Sequence, residues 1–252
     1  MNIEVSDLQK TYGHHFDLRV PSLRIGEGET FGLVGNNGAG KTTFLRLLLD
    51  LIYADGGEVL LDGHPTAGRD DWKTGVGSYL DESFLLDFLT ADEYFEFTGT
   101  TYGLSRADVA AALEPFRSFF TDRVLGERTR YLRDLSVGNK KKVGLVAALF
   151  VRPKLLILDE PFANLDPGSQ MQLLKLLREL NAEHGTTMII SSHDLDHVTQ
   201  ACDRIAVLED GQIVRDNATS EETLPDLKKY FEVRLDDALS PPSASPSARL
   251  AS

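Results

Sequence analysis

A chain of 252 residues, 42% of them hydrophobic, is long enough to bury one large or two small lobes around a real core. Its 39 Asp+Glu against 26 Lys+Arg leave a formal net charge of -13, a poor surface for wrapping nucleic acid, since phosphate contacts need basic side chains. A single cysteine, Cys202, excludes an internal disulfide framework and fits a reducing cytosolic compartment. Residues 1–5 show no basic stretch leading into an apolar one, so no secretory signal is expected. The apolar runs are all short and broken by charge, so any membrane role is expected to come through a partner.

Residues 2–25 read as two extended segments joined by a turn, with Ile3, Val5 and Leu8 on the first and Phe16, Leu18, Val20, Leu23 and Ile25 on the second. Tyr12 is expected in the loop between them. The apolar run 30–34 reads as a buried strand, 35–43 as a glycine-rich turn and 44–49 as the start of a helix. Gly56-Gly57 breaks the chain, and strands are expected over 58–61 and 76–80. From 90 to 120 apolar residues recur at helical spacing, interrupted by Gly103, as in an inserted helical lobe. A helix is expected over 139–151, with Lys140, Lys141 and Lys142 in its first turn. Positive charge opposes the dipole there, so these lysines either stand in solvent or are compensated by a bound phosphate.

The continuous apolar run 155–158 is the mark of a strand covered on both faces of a parallel sheet. A helix follows over 167–183, opened by Pro167 and stopped by Gly185. Then come a strand over 186–191, a helix over 194–201, a strand over 205–208 and the Asp210-Gly211 turn into Ile213-Val214. Strands alternating with helices predict an α/β domain with a mostly parallel sheet, spanning residues 1–232. Residues 233–252 are expected to be a disordered tail, most clearly the Ser/Pro/Ala-rich 240–252.

Two stretches carry chemistry. Gly35-Asn36-Asn37-Gly38-Ala39-Gly40-Lys41-Thr42-Thr43, between a buried strand and a helix, is the phosphate-binding P-loop pattern in its proper context. Gly35, Gly38 and Gly40 allow the tight turn that aims backbone N–H groups at phosphate oxygens, and the helix start adds more. Lys41 is expected to reach the β- and γ-phosphates and the Thr42 hydroxyl to ligate Mg²⁺. Far downstream, Asp159 and Glu160 follow the buried run 155–158 and so emerge at the carboxyl end of a strand, where α/β sheets bind ligands. Asp159 suits a hold on Mg²⁺, and Glu160 suits the general base that polarises the attacking water.

With these motifs in this order, residues 1–232 resemble the nucleotide-binding (ATPase) subunit of ABC transporters. The resemblance implies a P-loop ATPase with a mostly parallel core sheet, an N-terminal antiparallel β subdomain and an inserted α-helical subdomain at about 88–152. It also adds roles that the residues alone do not carry. Tyr12 matches the family's adenine-stacking aromatic, and Ser136 and Gly138, in Leu135-Ser136-Val137-Gly138-Asn139, match its signature loop. Asn164-Leu165-Asp166 matches the loop that couples two sites, and His193 matches the switch histidine at the γ-phosphate. In the mechanism so implied, two nucleotide-binding subunits, identical or different, sandwich two ATP head to tail. Each ATP lies between Lys41, Thr42, Asp159 and Glu160 of one chain and Ser136 and Gly138 of the other. Hydrolysis then drives a separate membrane permease from the cytoplasmic face of the cell membrane, with the overall style closer to export systems. The alternative within the fold is a soluble ABC ATPase acting on nucleic acid or ribosomes, or a regulatory module; the acidity speaks against nucleic acid.

Two departures stand out against the family pattern. Asp81 occupies the place of a usual glutamine; its carboxylate is expected to ligate Mg²⁺ as a hard oxygen donor, although it cannot donate a hydrogen bond as an amide does. In the signature loop Val137 replaces the first of two glycines and Asn139 a glutamine, so weakened tuning is expected rather than loss of activity. The apolar segment 84–90 is either core or part of the groove that receives a permease's coupling helix.

Overall fold

The computed structural model describes residues 1–13, 16–120, 124–126 and 129–239; the tail 240–252 lies outside the described residues. They fall into two compact units, residues 1–219 and the described residues from 220 on.

The first unit begins with an antiparallel layer. Strands β1 (Ile3–Tyr12) and β2 (Phe16–Ile25) pair from Ile3↔Ile25 to Tyr12↔Phe16, and β4 (Gly56–Leu61) pairs with the other side of β1. Ile3, Val5, Leu8, Leu18, Val20, Leu23 and Ile25 are all buried; the alternation of a half-buried sheet slips by one residue in each strand where the pairing skips Asp7 and Pro21. Two expectations need correcting here. Tyr12 closes β1 instead of sitting in the connecting loop, because its backbone pairs with Phe16. Gly56-Gly57 opens β4 instead of breaking the chain, since Gly56 pairs with Gln9 beyond a register shift in β1.

The parallel half runs in the order β9 (Arg204–Glu209), β3 (Thr30–Val34), β8 (Thr187–Ser192), β7 (Leu155–Asp159), β6 (Val76–Tyr79). Every residue of β3, β7 and β8 is buried, which explains the apolar runs 31–34, 155–158 and 188–190 with no alternation. Strand β10 (Gln212–Ala218) returns antiparallel to β9 through Asp210 and Gly211, both at positive φ (46° and 76°), as a type I′ hairpin demands. A single parallel pair, Gln212↔Arg19, joins β10 to β2 and fuses both halves into one ten-stranded mixed sheet, with the two-residue β5 (His64–Pro65) at its far edge.

Helix α1 (Lys41–Leu48) follows β3, and Phe44, Leu45, Leu47 and Leu48 bury its sheet-facing side. The helical lobe holds α2 (Ala91–Thr101) and α3 (Arg106–Leu113), each opened by a capping box: Thr90 with Glu93, and Ser105 with Asp108. Its core is aromatic. Phe95 is fully buried, with the Phe150 and Phe120 rings edge-on at 5.7 and 6.3 Å.

Helix α4 (Val137–Leu149) starts ahead of the expected residue 139, because Ser136 caps it and accepts from the Asn139 N–H at 3.3 Å. The lysines therefore leave the first turn, and neither expected fate applies to Lys141 and Lys142. Both are buried: Lys141 Nζ donates to the Glu160 carbonyl at 2.7 Å, and Lys142 lies 5.3 Å from the Phe119 ring and 3.8 Å from Asp166. Helices α5 (Pro167–His184) and α6 (Leu195–Ala201) complete the unit. Gly185 ends α5 at φ 63°.

The second unit holds α7 (Thr223–Leu239), which runs past residue 232. Leu224, Leu227 and Phe231 recur at helical spacing, which gives this segment an amphipathic pattern that the tail beyond it lacks. Among the described residues no helix is long and apolar enough to cross a membrane.

Candidate active site

The carboxyl ends of β3, β7 and β8 lie side by side, and the residues that follow them converge on one cleft of about 330 Å³. Asn36, Asn37, Gly38, Gly40, Lys41, Thr42 and Thr43 line it from the glycine-rich loop; Asp159 and Glu160 line it from β7, and Tyr12 and Phe16 from the N-terminal hairpin. Gly35 and Ala39 are buried at its base.

The loop's shape rests on Gly40. It sits at φ 108°, and a Cβ there would stand 2.6 Å from the Phe16 ring. No side chain caps α1 and no acidic residue stands in its first turn, so the N–H groups at the helix start keep their hydrogen-bonding capacity for a ligand.

Charge is concentrated behind the loop. Lys41 is only 6% exposed; its Nζ donates to the Gly35 carbonyl at 2.6 Å and lies 3.2 Å from Glu160 Oε1. That Glu160 oxygen is buried and makes no hydrogen bond, so the lysine's charge alone compensates it. Glu160 Oε2 meets His193 Nδ1 at 2.8 Å and accepts the His193 N–H at 3.3 Å. Asp159 is held on both oxygens: Oδ2 accepts from the Thr42 hydroxyl at 2.5 Å and Oδ1 from the Ser191 hydroxyl. Lys41, Thr42, Asp159, Glu160 and His193, drawn from three separate stretches of sequence, are thus joined in one network.

This donor set fits Mg²⁺. Thr42 and Asp159 offer adjacent hard oxygens, and the orphaned Glu160 oxygen faces the same cleft. Among the described residues no three His, Cys, Asp or Glu side chains cluster as a cage. Two protein oxygens beside a phosphate loop match an ion that keeps waters and shares its coordination with substrate phosphates.

Other expected residues lie elsewhere. Asp81 does not join Thr42 and Asp159: its carboxylate caps a short 3₁₀ turn by accepting from the Ser83 N–H at 2.8 Å and the Ser83 hydroxyl, and faces Arg46 at 3.7 Å. Ser136 and Gly138 do not line the cleft either; Ser136 and Val137 are exposed at the start of α4. Asn164 stands beside that start, its carbonyl 3.4 Å from where a Gly138 Cβ would be.

Three residues of the site escaped sequence reasoning. Phe16 reads as one more apolar strand residue, yet its ring lies 6.4 Å from that of Tyr12; its place opposite Tyr12 across the hairpin was the available signal. Ser191 was readable as the end of the strand next to Asp159, with which it pairs. Lys141 had no signal, since a lysine in a polar helical turn reads as solvated.

Comparison with known proteins follows the geometry. Residues 18–163 match the family described as ABC transporter. The chain is 34% identical to an uncharacterized ABC transporter ATP-binding protein of Synechocystis over 86% of its own length and 62% of that protein's. It is 35% identical to the methionine import ATP-binding protein MetN of Caulobacter vibrioides, over 87% of this chain and 68% of the relative. The bacitracin transport ATP-binding protein BcrA of Enterococcus faecalis is 34% identical, over 93% and 75%. Among solved structures, a dimeric post-hydrolysis state of an ATP-binding cassette bound to ADP and Pi superposes with a TM-score of 0.76 at 26% identity, covering 86% of this chain and 99% of that one.

Proposed function

The chain belongs to the ABC transporter family as an ATP-binding cassette of ATPase type, and from that premise we propose that it hydrolyses ATP at a site completed by a second nucleotide-binding subunit, driving a separate membrane permease. The observation that carries this reading is the Lys41–Glu160–His193 network at the mouth of the glycine-rich loop. Lys41 and the N–H groups of residues 36–43 take the phosphates, and on their arrival the Lys41 charge leaves Glu160 for the γ-phosphate. Glu160, released but still beside His193, is then free to accept the proton of the attacking water. Thr42 and Asp159 would hold Mg²⁺, which supplies charge neutralisation at the β- and γ-phosphate oxygens. Tyr12 and Phe16 offer the adenine a stacking face.

Ser136 and Gly138 serve the partner's nucleotide. They are outward-facing in this chain, and closure of two subunits would exclude water from both sites. The permease would dock beside the exposed Phe84 and Phe88, the first of which lines a second cleft with Tyr94 and Tyr102, and would keep this subunit at the cytoplasmic face of the membrane. We read the direction as export, from the resemblance of the apolar segment 84–90 and of residues 102–104 to export-type subunits.

Glu160→Gln tests the reading. Phosphate release should fall by about 10²–10⁴-fold, and size-exclusion chromatography in ATP should show a persistent dimer. Normal turnover in this variant would remove Glu160 from the mechanism.

A further inference from the structure

Glu160 is held in a backbone conformation that its own sequence disfavours. Its φ is 48°, in the left-handed region that L-residues other than Asn and Asp rarely enter, and Pro161 follows it, which pushes the preceding residue toward extended geometry. The surroundings must therefore impose the turn, and they grip the residue from both ends. At the N–H end, Glu160 donates to the Ser191 carbonyl at 3.2 Å and the Ser191 hydroxyl at 3.0 Å. At the carbonyl end, Lys141 Nζ donates to Glu160 O at 2.7 Å.

Lys141 is an unusual choice for that second grip. It is 4% exposed, on α4, with its ammonium 5.6 Å from the centre of the Tyr79 ring. Burial pushes its pKa down, while the charges of Glu82, Glu160 and Asp159 act in the opposite direction. A buried cation is costly wherever it makes no specific contact, and this one spends a short hydrogen bond on a backbone carbonyl of the residue whose carboxylate meets Lys41 and His193.

We propose that Lys141 is a positioning residue for hydrolysis: by donating to the Glu160 carbonyl it holds the left-handed turn that aims the Glu160 carboxylate into the nucleotide cleft. This rests on the role given to Glu160 above. Lys141 itself does not line the cleft and touches no nucleotide-binding residue of the loop. Its loss should therefore slow the chemical step without weakening ATP binding.

The test is Lys141→Met, which keeps the length and apolar stem and removes the donor, beside Lys141→Arg, which keeps a donor. Lys141→Met should lower kcat about ten-fold, as small misplacements of a reacting group do, with the KM for ATP and the affinity for a fluorescent ATP analogue within about two-fold of the original protein. Lys141→Arg should recover most of the kcat. In a Glu160→Gln background, Lys141→Met should cost no further turnover, because the residue through which it acts is already disabled. An unchanged kcat in Lys141→Met, a parallel loss of ATP affinity, or a further ten-fold fall in the Glu160→Gln background would each overturn the proposal. Should Lys141→Met fail to fold, the unaltered protein still decides: a scalar coupling between Lys141 Nζ and the Glu160 carbonyl carbon is expected by NMR, and its absence rejects the contact. Full turnover in Glu160→Gln alone would instead reject the role of Glu160, so the two failures are distinguishable.

Discussion

Two helices in this chain start at loops to which the proposed function assigns phosphate, and they are built in opposite ways. Helix α1 begins inside a cleft: Lys41 is buried, no side chain caps the helix, and Asp159 and Glu160 from β7 close the other side. Helix α4 begins at the surface: Ser136 caps it with its own hydroxyl, and the neighbouring Val137 is 58% exposed. The first start has its counter-charges supplied by the same chain. The second is exposed at Ser136 and Val137, with the Asn164 carbonyl beside Gly138. A helix N-terminus attracts phosphate in both cases, but only the first is enclosed, so the function proposed above gives affinity to α1 and completion of the site to a partner's α4.

The largest expected effect that sharpens this contrast is on binding. Lys41→Met removes the buried cation and leaves Glu160 uncompensated in the cleft. ATP affinity, read by equilibrium titration, should fall by about 10- to 100-fold, the worth of a charge-assisted hydrogen bond of about 1.5–3 kcal/mol. An affinity within two-fold of the original would mean that the loop's N–H groups suffice and that the enclosure of α1 is incidental.

Next in size is an effect on folding. Gly40→Ala places a methyl 2.6 Å from the Phe16 ring at a φ of 108°. Thermal unfolding should show a loss of about 1–3 kcal/mol from the strained backbone, and Tyr12 and Phe16 should shift together. Full stability would show that the hairpin is not packed on the loop as described.

How much of this was legible beforehand depended on whether local pattern and tertiary environment agreed. Residues 30–34 and 155–158 could be read as parallel core strands because burial on both faces leaves only apolar residues, and β3 and β7 are buried throughout. The glycine-rich loop was legible for the same reason: its chemistry is local. Lys141 and Asp81 were not. A lysine in a polar turn looks solvated, and only the packing of α4 against β6 and β7 shows that Lys141 reaches the Glu160 carbonyl. For Asp81 the position in the chain pointed to a metal; its bond to the Ser83 N–H and its place beside Arg46 are visible only in the fold. The line between strand and loop at Tyr12 was hidden because pairing leaves weak marks at element ends.

The smallest effect on the monomer falls on the other helix. Ser136→Ala removes the hydroxyl that accepts from the Asn139 N–H, and losing such a cap costs about 1 kcal/mol. The monomer should therefore stay folded, with a modest drop in its denaturation midpoint and unchanged ATP affinity, since Ser136 does not line its own chain's cleft. The same substitution should weaken ATP-dependent dimerisation, measured by light scattering in the Glu160→Gln background, because the hydroxyl and the N–H groups it orders would no longer meet the partner's phosphates. A cap that served only its own helix would lower stability and leave dimerisation untouched. A helix start that caps its own helix and, on the proposed function, also serves a second subunit is what separates α4 from α1, and this variant reads the two roles in separate measurements.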